Sequence, residues 1–153
     1  MNLSTLELYT IGIGPSSSHT VGPMRAALRF ARAALPLQPA RLRVELFGSL
    51  ALTGKGHGTD RAIVAGLQGE SPETVSPAAM PKLHDAVVQS SLLTLAGERV
   101  IPFDLGEDLV FNRRRRLPHH PNGMQFRAMD PQGNCLLEQT CFSVGGGFVA
   151  EAH

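Results

Sequence analysis

The chain has 153 residues, enough for one domain with a real core, and 42% of them are hydrophobic. A formal charge of +1 lacks the basic excess of a nucleic-acid binder, and no apolar run approaches the roughly 18 residues of a membrane span. Nor does a basic segment followed by an apolar stretch open the chain as a secretory leader would, so the expectation is one cytoplasmic domain over residues 1–153 with a small-molecule or protein partner.

Sixteen glycines and eleven prolines, against seven Phe, one Tyr and no Trp, place much of the chain in turns and direct attention to loops. The first loop is "GIGPSSSHTVGPM", Gly12 to Met24, which sets Ser16, Ser17, Ser18, His19 and Thr20 between two Gly/Pro pairs. It feeds an amphipathic helix over Met24 to Leu35, with Thr20 as a candidate N-cap and Pro23 in the first turn, and Pro36 and Pro39 stop it. Arg41 to Ser49 alternates as a half-buried strand: Leu42, Val44 and Leu46 face one way, Arg41, Arg43 and Glu45 the other. A second loop, "GKGHGTDRA", follows at once, and Thr59 or Asp60 is placed to cap a short helix ending at Gly66 or Gly69.

Ser71 to Pro81 reads as a connector, Lys82 to Ser91 as a helix, Leu92 to Ala96 as a short strand or helix end, and Asp108 to Asn112 as a strand. The run Arg113 to Arg116 is a solvated turn or a contact with another chain or domain, and it leads into the third loop, "LPHHPNGM". Met124 to Asp130 and Cys135 to Val144 form a hairpin around Pro131, Gln132, Gly133 and Asn134. The chain closes on "SVGGGFVAEAH", an apolar tail without a stop signal, as at the edge of a larger protein. Helices and strands do not alternate strictly, so the class is α+β, with a mainly antiparallel or mixed sheet and helices packed on one face.

Each of the three loops brings histidine: His19, His57, and His119 with His120. Four readings of the first loop stand side by side. Glycines, hydroxyls and a helix start suit a phosphate or carboxylate cradle, although the spacing is not that of a P-loop. Histidines from separate loops are potential zinc ligands, but no HxxxH or HxH spacing supports a metal. His19 beside hydroxyls is a candidate acid or base, oriented by Asp60. Tight turns and helix capping alone also account for the residue types. Cys135 and Cys141, six apart, match neither a metal clip nor a disulfide framework and read as buried reduced thiols.

Taken in order, "IGIGPSSSHTVGPMRAA", "LFGSLALTGKGHGTDRAIVAGL", "LPHHPNGMQFRAMD" and "FSVGGGF" resemble the β domain of the bacterial iron-sulfur L-serine dehydratases. That resemblance spans essentially the whole chain and implies conversion of L-serine to pyruvate and ammonia. It implies a [4Fe-4S] cluster held by cysteines of a separate catalytic α domain or subunit, none bound by this chain, which alone is expected to be inactive. In the family the open iron would polarise the serine hydroxyl while a base removes the α proton. Ser16 to Thr20 match the family's Ser-Ser-His-Thr loop, with His19 as the catalytic candidate and Ser16, Ser17, Ser18 and Thr20 as substrate contacts. His57, Thr59 and Asp60 would support them; His120 and Asn122 match a His-Pro-Asn-Gly motif, and His119 is incidental. The family's β domain is similar to the allosteric substrate-binding domain of D-3-phosphoglycerate dehydrogenase, which raises a rival reading: a regulatory module that senses an amino acid or anion. A homo-oligomer is expected in either case.

Overall fold

The computed structural model describes residues 18–54, 56, 58–115, 121–144 and 149–151. Within them the chain runs α1 (Val21–Ala34), a 3-10 turn (Leu35–Leu37), β1 (Arg41–Phe47), α2 (Ser49–Thr53), α3 (Thr59–Leu67) and α4 (Ala79–Ser90). There follow β2 (Leu92–Leu95), β3 (Arg99–Pro102), α5 (Leu105–Asp108), β4 (Leu109–Asn112), β5 (Gly123–Met129), β6 (Cys135–Ser143) and β7 (Val149–Glu151).

The main sheet has five strands in the order β4-β1-β5-β6-β7, and a separate hairpin pairs β2 with β3. Strands β1 and β4 are parallel and every other neighbour is antiparallel, so the sheet is mixed, as the class requires. Alternation along β1 and β5 sends Leu42, Val44, Leu46, Met124, Phe126 and Ala128 to one face, all fully buried. The apolar stripe of α1 covers that face: Ala27, Phe30, Ala31 and Ala34 are fully buried, and Phe30 stacks on Phe126 with ring centroids 5.3 Å apart. Helix α3 lies against α1, and Gly66 makes this approach possible. A Cβ there would fall 2.4 Å from the Met24 carbonyl oxygen and 2.9 Å from the Ala27 Cβ.

The β2–β3 hairpin fills the remaining flank of the core with Leu93, Leu95 and Ile101 and is tied to the end of α3 by the Ala96 N–H on the Leu67 carbonyl at 2.8 Å. Four-residue β3, which ends in a proline, and three-residue β7 were not expected from the sequence. Each is too short to show alternation and is defined by its hairpin partner, β2 for β3 and β6 for β7. The β5–β6 turn is organised by Asp130, whose carboxylate accepts from the Gln132 and Asn134 N–H groups and the Asn134 amide. Those Asn134 bonds hold the Asp130 carboxyl below its ordinary range.

The helix starts differ from the sequence reading. Helix α1 begins at Val21, and Thr20 occupies its N-cap without a side-chain capping bond. Helix α3 begins at Thr59 itself after Gly58 (φ 78°), so neither Thr59 nor Asp60 caps it. Burial of both cysteines is also corrected: Cys141 is buried on the core face, whereas Cys135 is exposed beside the hairpin turn, where the register shifts between Ala128 and Met129.

Candidate functional site

Strand directions bring three loops to one end of the sheet. Strands β1 and β4 finish there, β5 starts there and β6 finishes there, so the segments after Phe47 and before Gly123 are neighbours. Gly48 then turns the chain with φ 61° and ψ −130°, and its N–H donates to the Arg115 carbonyl at 3.2 Å. Asn112 shapes the Arg113 to Arg115 turn by accepting from the Arg114 and Arg115 N–H groups, and the Arg115 guanidinium lies over the Phe47 ring at 5.8 Å. The Ser49 N–H donates to the Pro121 carbonyl at 2.7 Å, stitching the second loop to the third.

His19 joins the first loop to this junction. Its Nδ1 is 3.0 Å from Ser18 Oγ, and its Nε2 is 3.2 Å from Ser49 Oγ and 3.1 Å from Thr53 Oγ1. Its carbonyl accepts the hydroxyl of Thr59, a fully buried residue. The start of α1, the short helix α2 and the start of α3 therefore meet at His19, α2 through its imidazole and α3 through its backbone carbonyl.

The hydroxyl pattern assigns the tautomer. Thr53 spends its single proton on the Ser49 carbonyl at 2.8 Å, so its oxygen faces Nε2 as an acceptor. Nε2 then carries the ring proton and Nδ1 presents its lone pair to the Ser18 hydroxyl, which donates. If Nδ1 takes a proton, Ser18 Oγ rotates to accept instead, and no partner is lost.

Of the expected site residues, Ser18, His19, Thr20 and Thr59 gather here. Asp60 does not orient His19: its carboxylate is 3.2 Å from His84 Nε2 on α4. Adjacent residues on a helix diverge by about 100°, so with Thr59 turned to the His19 carbonyl, Asp60 points elsewhere. Asn122 is buried at the same end and its amide donates to the Ser143 carbonyl at 3.2 Å, while the Ser143 N–H returns to the Asn122 carbonyl at 3.0 Å. Ser16, Ser17, His57, His119 and His120 lie outside the described residues. Ser49 and Thr53 were not singled out from the sequence. Their signal was present as hydroxyls four apart on a helix opened by glycine, which places both on one face.

An iron-sulfur cluster does not fit the cysteines of this chain. Cys135 and Cys141 are six residues apart along one strand, about 20 Å at ~3.3 Å per residue. Burial pushes the Cys141 thiol up to about 12, away from the thiolate a metal needs. Among the described residues no group of three or more His, Cys, Asp or Glu could hold a metal ion. In the native chain a thiol reagent at pH 8 is expected to modify Cys135 and spare Cys141, with the second thiol appearing only on unfolding. Two equivalents released before unfolding would contradict the burial of Cys141.

Fold and junction thus define an α+β domain with a hydroxyl-bound histidine where three helices meet. The chain belongs to the serine dehydratase beta chain family, whose model matches residues 4–153. It is similar to an L-serine dehydratase of Streptomyces coelicolor, 47% identical over 99% of this chain and 34% of that protein. It is also similar to one of Mycobacterium tuberculosis, 48% identical over 97% and 33%, and to L-serine dehydratase TdcG of Escherichia coli, 42% identical over 97% and 34%. The chain spans about a third of the length of the curated relatives it matches. No helix among the described residues is long and apolar enough to cross a membrane.

Proposed function

We propose that this chain furnishes the histidine-bearing part of an L-serine dehydratase active site that a catalytic α domain or subunit completes. The observation that carries the reading is the His19 junction, which holds the imidazole between the Ser18 hydroxyl at Nδ1 and the Ser49 and Thr53 hydroxyls at Nε2. Dehydration of L-serine needs removal of the Cα proton and departure of the β-hydroxyl as water. The resulting aminoacrylate tautomerises and hydrolyses to pyruvate and ammonia.

On this reading His19 takes the Cα proton at Nδ1, directly or through Ser18, and Ser49 and Thr53 hold Nε2 so that the ring keeps one orientation. The starts of α1 and α3 supply a positive potential suited to the substrate carboxylate, and Ser16, Ser17, Ser18 and Thr20 are the hydroxyls within its loop. His57, Thr59, Asp60, His120 and Asn122 support the loops rather than react. Cluster ligands belong, on this reading, to the catalytic partner, and this chain alone turns over no serine.

The test is steady-state kinetics of His19 variants in the complete enzyme. A fall in kcat supports proton transfer, whereas an effect confined to KM or to a lag supports the regulatory module. Thr53→Val sharpens it: loss of one acceptor at Nε2, worth about 1 kcal/mol, is expected to cost about fivefold in kcat with little change in KM. An unchanged kcat would mean that Nε2 is held by Ser49 alone.

A further inference from the structure

Helix α4 packs inward through Met80 and Val87, 6% and 2% exposed, each buried in a different apolar cluster of the domain. Four residues after Met80 and three before Val87, on that same stripe, stands a histidine where an apolar side chain is the ordinary choice. The His84 side chain is only 15% exposed; its Nε2 lies 3.2 Å from the Asp60 carboxylate, itself 15% exposed, and its Nδ1 lies 3.3 Å from the carboxylate of exposed Asp85. Nε2 is buried with no aligned hydrogen bond among the described residues, so the Asp60 carboxylate is what offsets its burial. Packing such a pair inside costs more than a leucine at position 84 would, which calls for a role other than packing.

Asp60 directly follows Thr59 in the first turn of α3, and successive helical residues point about 100° apart. Thr59 donates its hydroxyl to the His19 carbonyl on one side, and Asp60 reaches His84 on another. Two contacts from adjacent residues fix how α3 is rotated about its axis. Packing alone fixes it less, because the surface that α3 turns toward α1 and α4 is built of Ala62, Ala65 and Gly66, whose short side chains interlock little.

We infer, on the reading of His19 as the base, that His84 is a positioning residue for the reaction: it holds Asp60, fixes the rotation of the first turn of α3, and so keeps the Thr59 hydroxyl on the His19 carbonyl. It acts through Asp60 and Thr59 and exchanges no proton with the substrate. Without His84 a largely buried carboxylate loses its counterpart, and the least costly relief turns Asp60 toward water, which carries Thr59 away from the carbonyl. His19 then keeps its imidazole but not its place.

Kinetics of the complete enzyme are the test. His84→Ala is expected to lower kcat about fivefold with KM within about twofold, and to keep the acid limb of the kcat/KM profile against pH, because His19 is still present. His84→Gln, whose amide nitrogen stands near the place of Nε2, should recover most of that loss. Thr59→Val removes the last link directly, so the double variant His84→Ala with Thr59→Val should be no slower than the slower single variant. An unchanged kcat in His84→Ala, a glutamine variant as slow as the alanine one, or single-variant factors that multiply in the double variant would each overturn the inference. If His19→Ala also leaves kcat unchanged, the reading of His19 as the base falls with it; if His19→Ala is slow, only the role of His84 falls.

Discussion

Replacing His19 by alanine is expected to lower kcat of the complete dehydratase by about 10²–10⁴-fold while KM changes far less. The size follows from losing a positioned base. The selectivity for kcat follows from the geometry. The contact that anchors this residue to α3 is made by its backbone carbonyl with the Thr59 hydroxyl, and that bond survives in the variant. What disappears is the imidazole, with its bonds to the Ser18, Ser49 and Thr53 hydroxyls. All three hydroxyls find replacement partners in water more readily than a buried carbonyl would.

The pH profile supplies an independent readout. A base must be unprotonated to act, so the acid limb of the kcat/KM profile reports its ionisation and should vanish in His19→Ala. Added imidazole should restore part of the rate. A variant that keeps the acid limb and loses only affinity for serine would move the chemistry entirely to the catalytic partner and leave this domain as a sensor.

The second large effect is expected at Gly48. Its φ of 61° with ψ of −130° lies where side chains are strained, and a Cβ would stand 2.2 Å from the Pro121 carbonyl oxygen, a backbone atom that cannot swing aside. Strain of about 1–3 kcal/mol and overpacking of about 1–3 kcal/mol together make Gly48→Ala one of the most damaging single substitutions at this end of the sheet. Urea unfolding should show a lower midpoint at unchanged slope. Because Ser49 follows directly and donates to the same Pro121 carbonyl, the remaining folded enzyme should also be slower than wild type. A variant as stable as the wild type would mean that the second and third loops are not joined at this point.

Much of the architecture was legible in the chain. Alternation in Arg41 to Ser49 and a 3.6-residue period after Thr20 identified β1 and α1, and the Pro131 to Asn134 turn identified the β5–β6 hairpin. These elements announce themselves because each buries one face, and burial imposes a period. The strands β3 and β7 did not, since three or four residues are too few to show a period and only their pairing with β2 and β6 defines them. Within the site, His19 and Thr59 were visible by residue type. Ser49 and Thr53 were hidden in a five-residue helix, and Asp60 was assigned to the wrong histidine because residue type alone does not give its direction on a helix.

The sequence by itself determined the class of fold, the family and the residue types available for chemistry, because periodicity and ordered motifs are local properties that survive without coordinates. Only the tertiary structure decided that three loops share one end of a mixed sheet, that Ser49 and Thr53 hold His19, and that Asp60 belongs to His84. Those facts depend on strand direction and on side-chain direction. Both are set by packing between segments well separated along the chain, and no single stretch of the chain encodes them.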